Sequence, residues 1–554
     1  MEPKSPSKSK LQITGCNHNN RLRNFIIISL LIIFILGLVG GYLIFKEHIS
    51  IPGEISTYFT VVLDCGSTGS RVNVYEWMSN NGSKVYGTLP VLLRSFPENM
   101  NKSNGCEYHC MQTEPGLHNF VNDRFKVRAS IEPLIRYAEQ WVPLESRGMT
   151  PIFVFATAGM RRLPVEDAEM VLGEVENVVK EHGFVYKKSW IRVLTGKEEA
   201  YYGWVALNYK MGVFDSSLGS STLGLLDLGG SSMQVVAEVD GSMKDEHVFR
   251  SKIGPIEHDI VAYSLPAFGL NEAFERTVIM LSHSQALRES GGGKFEVRHP
   301  CLGSGLIQNY TCHGCFALDS SNSRNLRSQE NGLNSLFLVG EPNWELCKVI
   351  ARAAAINSSS TGWSTGAPNS NCLGFSSYGG NAKLNLTKNS HTVTRYHALS
   401  GFFAVHHALN LSQRPNLTTL WESGQKLCSR SRSHHTSIDG QHCFRVPYLT
   451  SLIENALCLG GVEIIFGPGD VSWTLGASLI EGDFSSLNAK KSQNRILTLK
   501  DHEIISSPLL TFLVLLFFLL IVYCCQIKLP MPSRKVATTR TSLPSYLCPR
   551  RQPN

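Results

Sequence analysis

The feature that most constrains this chain is a short pattern that occurs twice. Residues 59–71 read FTVVLDCGSTGSR and residues 223–234 read LGLLDLGGSSMQ. Each is an apolar strand with an Asp at its end, then one residue, a Gly, and a set of small, hydroxyl-bearing side chains. Glycine lets a backbone turn tightly and approach an anion closely. The N–H groups of such a turn, helped by Ser or Thr hydroxyls, cradle phosphate oxygens. The Asp at the strand end is placed to hold a divalent cation, directly or through water, because hard cations take oxygen ligands. One copy reads as readily as a plain hairpin turn. Two copies, each after a buried strand, predict two turns that clamp a phosphate chain between two lobes. A P-loop is excluded, since Gly291-Gly292-Gly293-Lys294 has neither the spacing nor the hydroxyl.

The chain around the repeat alternates strands with helices. Apolar, β-branched runs predict strands at Tyr58–Asp64, Pro151–Ala156, Trp190–Leu194 and Ser221–Asp227. Helical spacing predicts helices near Arg124–Gln140, Pro164–Glu181 and Glu198–Tyr209. That alternation argues for an α/β fold. Residues 318–335 and 357–381 are rich in Ser, Asn and Gly and read as loops. About 450 residues exceed one ordinary core, so two lobes are expected.

Two apolar runs bracket this region. Phe25–Phe45 holds 21 residues without a charge, and Ile504–Ile527 contains LLTFLVLLFFLLIVYCC. Both are long enough to cross a membrane as helices. The first reads as an uncleaved anchor rather than a signal peptide, with 24 residues ahead of it. Charge supports the pair. The net +7 divides into +4 on residues 1–24 and +6 on residues 528–554, leaving the middle at −3. Basic flanks stay cytoplasmic, which puts residues 46–503 in the lumen or outside the cell, at the plasma membrane or the Golgi. A mildly acidic middle also removes the electrostatic support for nucleic-acid binding. Membrane lipid is thus an expected partner and nucleic acid is not.

Seven Asn-x-Ser/Thr sequons, at Asn81, Asn101, Asn309, Asn357, Asn385, Asn410 and Asn416, all lie between the two runs. So do 11 of the 15 cysteines. In an oxidising compartment these read as disulfides. Cys65 sits inside the first turn and is taken as the unpaired one, leaving ten for five bridges. Cys312-His313-Gly314-Cys315 is open to a zinc or redox reading, but no second ligand pair stands out.

At these residues the chain resembles the ecto-nucleoside triphosphate diphosphohydrolases, the apyrase family, and looks most like plant apyrases with a span at each end. DCGSTGSR at 64–71, ATAGMRRL at 156–163, GKEEAYYGWVALNY at 196–209, DLGGSSMQ at 227–234 and WTLGA at 473–477 are similar to the family's five ordered motifs. HPCLG at 299–303 and SGFFAV at 400–405 resemble lesser landmarks. The chain departs from the pattern at Cys65, Ala200 and Met233.

The resemblance implies two RNase-H-like lobes of the actin and sugar-kinase type, with the site in the cleft between them. Lobe I would take residues 55–195 and 470–500, and lobe II residues 196–469. Asp64 and Asp227 would bind a hydrated Ca²⁺ or Mg²⁺. Ser67, Thr68, Gly69, Ser70 and Arg71 would line one phosphate loop, and Gly229, Gly230 and Ser231 the other. Thr157 would touch the phosphate being removed. Glu199 would be the catalytic base, with Ser232 and Gln234 holding the attacking water. Trp473 reads either as core or as cleft lining, and Arg161 or Arg162 as a phosphate neighbour or a surface ion pair. The implied activity is hydrolysis of nucleoside tri- or diphosphates to monophosphates. Its rivals are a weak or inactive nucleotide-binding glycoprotein of the same fold, and a kinase.

Overall fold

In the computed structural model, the described residues run from 57 to 482. Excepted are 79–88, 98–110, 216–220, 241–245, 255, 285–287, 291–293, 313–314, 316–334, 357–392, 394 and 430–438. Both apolar runs lie outside this range, apart from a few isolated positions. So do the sequons Asn81, Asn101, Asn357 and Asn385, and Cys106, Cys110 and Cys372. Among the described residues, no helix is long and apolar enough to cross a membrane.

The first sheet grows from β1 (Thr57–Cys65), whose residues from Phe59 onward are all buried. A strand covered on both faces needs a continuous apolar run, and TYFTVVLD supplies it. β1 pairs antiparallel with β2 (Ser70–Met78), which carries β3 (Val91–Phe96) and the short β4 (Gln112–Thr113). On its other side β1 pairs parallel with β5 (Ile152–Ala156), which pairs parallel with β6 (Ile191–Val193). The order is β3-β2-β1-β5-β6. Helices α1 (Arg124–Trp141) and α3 (Val165–Lys180) cover one face; between them in sequence lies the one-turn α2 (Ala158–Arg161). In α3 the buried Ala168, Val171, Val175, Val178 and Val179 keep helical spacing, and Glu166 and Asp167 favour its N-terminus.

Helix α4 (Gly196–Lys210) follows, and the second sheet repeats the first. Its strands are β7 (Gly224–Leu228), β8 (Ser232–Glu238), β9 (Val248–Ile253) and β10 (Ile256–Pro266). After α5 (Leu270–Ser284), a separate four-stranded sheet forms from β11 (Arg288–Ser290), β12 (Lys294–His299), β13 (Ile307–Thr311) and β14 (Ser335–Gly340). Helix α6 (Trp344–Ala355) comes next. Then β15 (Arg395–Ser400) and β16 (Glu463–Phe466) return to complete the order β16-β15-β7-β8-β10-β9. Between them lie α7 (Gly401–Ala408), α8 (Leu417–Ser429) and α9 (Asp439–Ser451).

In both sheets the strand that ends in Asp pairs antiparallel with the strand after its turn and parallel with a later one. Two cores result. One gathers Val61, Leu63, Ile131 and Val175, the other Leu226, Val235, Phe274 and Tyr448.

Cysteine use is consistent with the disulfide expectation. Cys301 bonds Cys347, Cys428 bonds Cys443, and Cys312 bonds Cys315, which rules out zinc at that last pair. Cys458 is also disulfide-bonded, and Cys65 is a free, fully buried thiol.

The final helix, α10 (Trp473–Glu481), packs on α4 and also on β1 and β2. Tyr75 Oη and Thr474 Oγ1 are hydrogen-bonded at 2.7 Å. The two helices cross so closely that a Cβ at Gly476 would lie 1.9 Å from the Tyr202 carbonyl oxygen. Backbone cannot yield there as a side chain can. Gly476→Ala is therefore expected to destabilise the protein by about 1–3 kcal/mol, the cost of overpacking. A lowered urea midpoint at unchanged slope would register it, and an unchanged midpoint would contradict the crossing.

Candidate active site

The two turns predicted from the repeat are built alike. Gly66 N–H donates to Gly69 O at 2.9 Å, and Gly229 N–H donates to Ser232 O at 3.0 Å. In each case the donor is the second residue after the Asp and the acceptor the fifth. The turns meet: a Cβ on Gly230 would fall 2.8 Å from Ser67 Oγ and 3.0 Å from Thr68 Cγ2. Glycine is required there by the close approach of the opposite turn.

Where they meet, a cleft of about 270 Å³ is lined by residues from both sheets. Asp64, Ser67, Thr68, Arg71 and Thr157 come from the first half, and Glu199 from α4. Asp227, Gly229, Gly230, Ser231, Ser232 and Gln234 come from the second. Twelve of the fourteen residues expected at the site are thus brought together. Gly69 and Ser70 are not among the residues that line the cleft. Ser70 opens β2, opposite Cys65 in the register, and is fully buried. The Cα of Gly69 faces the Thr113 carbonyl, 2.5 Å from where a Cβ would stand. Trp473 lines the cleft and packs near Phe155, so it serves as both core and wall.

Three carboxylates are buried here. Burial lifts Asp64 from 3.8 to about 6; Arg71 opposes that rise and Asp227 adds to it. Asp64 Oδ1 is buried without a hydrogen-bond partner. Arg71 Nη1 lies 3.5 Å from Asp64 Oδ2, and its Nη2 donates to Thr68 Oγ1 at 3.0 Å. Asp227 is likewise raised by burial, against a hydrogen bond from Ser400.

Glu199 is lifted from 4.5 to about 7, again chiefly by burial, with Arg161 opposing and the two aspartates adding. Arg161 Nη2 donates to Glu199 Oε2 at 2.8 Å and reaches Ser232 Oγ at 3.4 Å, while its Nη1 donates to Leu194 O at 3.0 Å. Gln234 Nε2 donates to Ser232 Oγ at 2.8 Å. The neighbouring Glu198 is used up elsewhere. It closes a capping box with Thr195 and accepts from Arg192 Nη1 at 2.7 Å.

Sequence reasoning left Arg161 undecided and did not assign Ser400, Asn271 or Arg445, all three of which line the cleft. Ser400 ends β15 at a φ of 50°, a left-handed value that a side chain rarely adopts. The SGFFAV landmark begins at that residue, so a signal existed.

Oxygen-only donors, a buried Asp64 Oδ1 without a partner and two carboxylates raised by burial fit a hard divalent cation. Among the described residues, no three His, Cys, Asp or Glu side chains gather to hold one. Water and phosphate oxygens would have to complete its shell.

The cleft thus combines two facing glycine turns, strand-end aspartates and a buried Glu–Arg pair. Comparison with known proteins gives the family. Residues 51–493 match the GDA1/CD39 (nucleoside phosphatase) family, and the chain belongs to it. It is 35% identical to "Probable apyrase 7" of Arabidopsis thaliana over 85% of this chain and 62% of that protein, so it spans less than two thirds of that relative. It is 26% identical to a nucleoside-diphosphatase of Caenorhabditis elegans, mig-23, over 84% of this chain and 85% of the relative. The fold is similar to a crystal structure of nucleoside triphosphate hydrolases from Neospora caninum. That likeness has a TM-score of 0.53 at 15% identity, covering 80% of this chain and 95% of the other.

The raised carboxyls carry a consequence for stability. The folded chain holds protons on Asp64 and Glu199 that the unfolded chain releases. Their stabilising contribution is full below the unfolded values of 3.8 and 4.5 and is lost as pH rises through about 6 and 7. Asp64→Asn should therefore melt with the wild type at low pH and above it beyond pH 7 in the presence of a chelator. Adding Ca²⁺ or Mg²⁺ should close the gap by stabilising the wild type. A gap of the opposite sign would contradict the buried-charge account.

Proposed function

We propose that this chain hydrolyses nucleoside tri- or diphosphates to monophosphates and phosphate, by in-line attack of a water that Glu199 activates. One observation carries the reading: the two equivalent Asp-x-Gly turns face each other over a cleft that also holds the Glu199–Arg161–Ser232–Gln234 cluster. Two RNase-H-like lobes, 55–195 with 470–500 and 196–469, would each contribute one turn.

Phosphoryl transfer asks mainly for positioning and charge neutralisation. The N–H groups within the turns that are not spent on closing them, at 67–69 and 230–231, with the side chains of Ser67, Thr68 and Arg71, would bind the phosphate oxygens. Thr157 would meet the phosphoryl group that leaves. Ser232 Oγ already accepts from Gln234 and lies within reach of Arg161, so its own hydroxyl hydrogen is directed toward a further acceptor, the water. Glu199, lifted to about 7, is a base matched to neutral pH. The Arg161 guanidinium opposes that rise and favours the ionised form that accepts the proton. Ca²⁺ or Mg²⁺ held by Asp64 and Asp227 would supply charge neutralisation for the phosphate oxygens.

Cys65, Ala200 and Met233, the departures from the family pattern, are all fully buried, and none lines the cleft. That supports an active site over a vestigial one.

The test is phosphate release from a panel of nucleoside tri- and diphosphates by the full chain in detergent, with and without each cation. Glu199→Gln should lose roughly 10²–10⁴ in turnover. Glu198→Gln should stay within a few-fold, since Glu198 serves the helix cap. For the wild type, kcat/KM should rise with pH through about 7. If the two substitutions exchanged effects, the assignment of the base would fall.

Residues 25–45 and 504–527 would anchor the enzyme as a two-pass membrane protein, both termini cytoplasmic and the catalytic part luminal or extracellular, at the plasma membrane or the Golgi. Glycosidase treatment should then sharpen and speed its migration on gels, and terminal tags should be reachable only after permeabilisation. Tags exposed on intact cells would reverse the topology.

A further inference from the structure

Arg162 and Glu272 lie outside the reacting groups, yet they join the two glycine turns. Arg162 caps the end of α2, the one-turn helix that follows Thr157. That helix is packed against the first turn. Thr157 N–H donates to Cys65 O at 3.1 Å, and a Cβ on Gly159 would lie 3.0 Å from Ser67 Cα. Glu272 stands in the first turn of α5, which is fastened to the second glycine turn. Leu270 N–H donates to Gly229 O at 3.0 Å, Asn271 N–H to Gly230 O at 2.9 Å, and Ala267 N–H to Ser231 O at 3.1 Å.

A single carboxylate oxygen, Glu272 Oε1, then accepts from both sides: from Arg162 Nη1, and from Ser231 Oγ at 3.1 Å. Ser231 is one of the residues that line the cleft. Without Arg162, the Glu272 charge would stand one hydrogen bond away from the place where phosphate oxygens bind. The Glu272 side chain is 20% exposed, so solvent screens that charge only in part.

We propose that Arg162 is a positioning residue that masks the Glu272 carboxylate and latches the first turn to the second. Through Glu272 it fixes the Ser231 hydroxyl and keeps the cleft receptive to a polyphosphate chain. This rests on the hydrolase reading above. The consequence is specific to binding: the latch shapes the ground-state encounter with the phosphate chain, while Glu199 is held by a different arginine, Arg161, and has no part in the latch contacts.

A double-mutant cycle tests it, with KM and kcat read for a nucleoside diphosphate in the presence of Ca²⁺. Arg162→Ala should raise KM about tenfold, the order of coupling between charged groups in contact, with kcat changed by less than about threefold. Arg162→Lys keeps the charge and should recover most of the loss. Glu272→Gln keeps an acceptor for Ser231 but removes the repelling charge, so it should raise KM only a few-fold. The pair Arg162→Ala with Glu272→Gln should match Glu272→Gln alone and not multiply the two effects. Multiplying effects, or a loss in kcat with no change in KM, would overturn the latch. Thermal unfolding of each variant separates this from misfolding: a large KM effect accompanied by a matching collapse of the melting midpoint would also overturn it. A wild type that released no phosphate from any nucleotide would instead overturn the hydrolase reading, and the latch's role with it.

Discussion

Three carboxylates buried in one cleft, Asp64, Asp227 and Glu199, set the terms for what surrounds them. A buried carboxylate without a full set of partners is costly, because the charge has left water without equal repayment. Here the compensation is partial by construction. Arg71 reaches Asp64 at 3.5 Å, Ser400 bonds Asp227, and Arg161 holds Glu199. All three carboxyls are still raised by burial, so the cleft as folded holds an electrostatic deficit. On the function proposed above, a divalent cation held at Asp64 and Asp227 would relieve it.

The rest of the fold keeps those groups from escaping each other. Asp64 and Asp227 end central strands that are hydrogen-bonded on both edges, so neither backbone can withdraw without breaking its sheet. Glu199 rides on α4, which is buried nearly all round and locked against α10 by the glycine crossing at Gly476. Ser400, which bonds Asp227, is one of the few described non-glycine residues whose backbone is held at a positive φ. Strain of that kind persists where the surroundings over-determine a residue, and it concentrates at functional sites.

Much of this was legible in the sequence because it is carried by local signals. TYFTVVLD and STLGLLD announce central strands through composition alone, and the Asp-x-Gly repeat announces the turns. Helix starts such as Thr195 with Glu198 are written within four residues. What stayed hidden depends on contacts between distant segments. Arg161 and Glu199 are 38 residues apart and belong to different motifs, so neither one identifies the other as its partner. That Ser70 is buried away from the cleft lining has a narrower reason. It lies only a residue beyond the turn, but β2 begins there, and the start of a strand decides which side chains face the core. Arg445 offered no signal, since α9 places it in the cleft wall only through the packing of the second core.

Cys65 adds a constraint on how the chain matures. Thiol–disulfide exchange needs a thiolate that can reach a sulfur. Burial removes access, and together with the adjacent Asp64 charge it pushes the thiol up to about 12. Once β1 is seated, this cysteine is a spectator to exchange, although at least seven others in the chain are oxidised. Before that moment it is a competitor for every one of them. The order of events during oxidative folding therefore matters: pairing of β1 with β2 and β5 must outrun bond formation farther along, or the first glycine turn becomes the site of a mispaired disulfide.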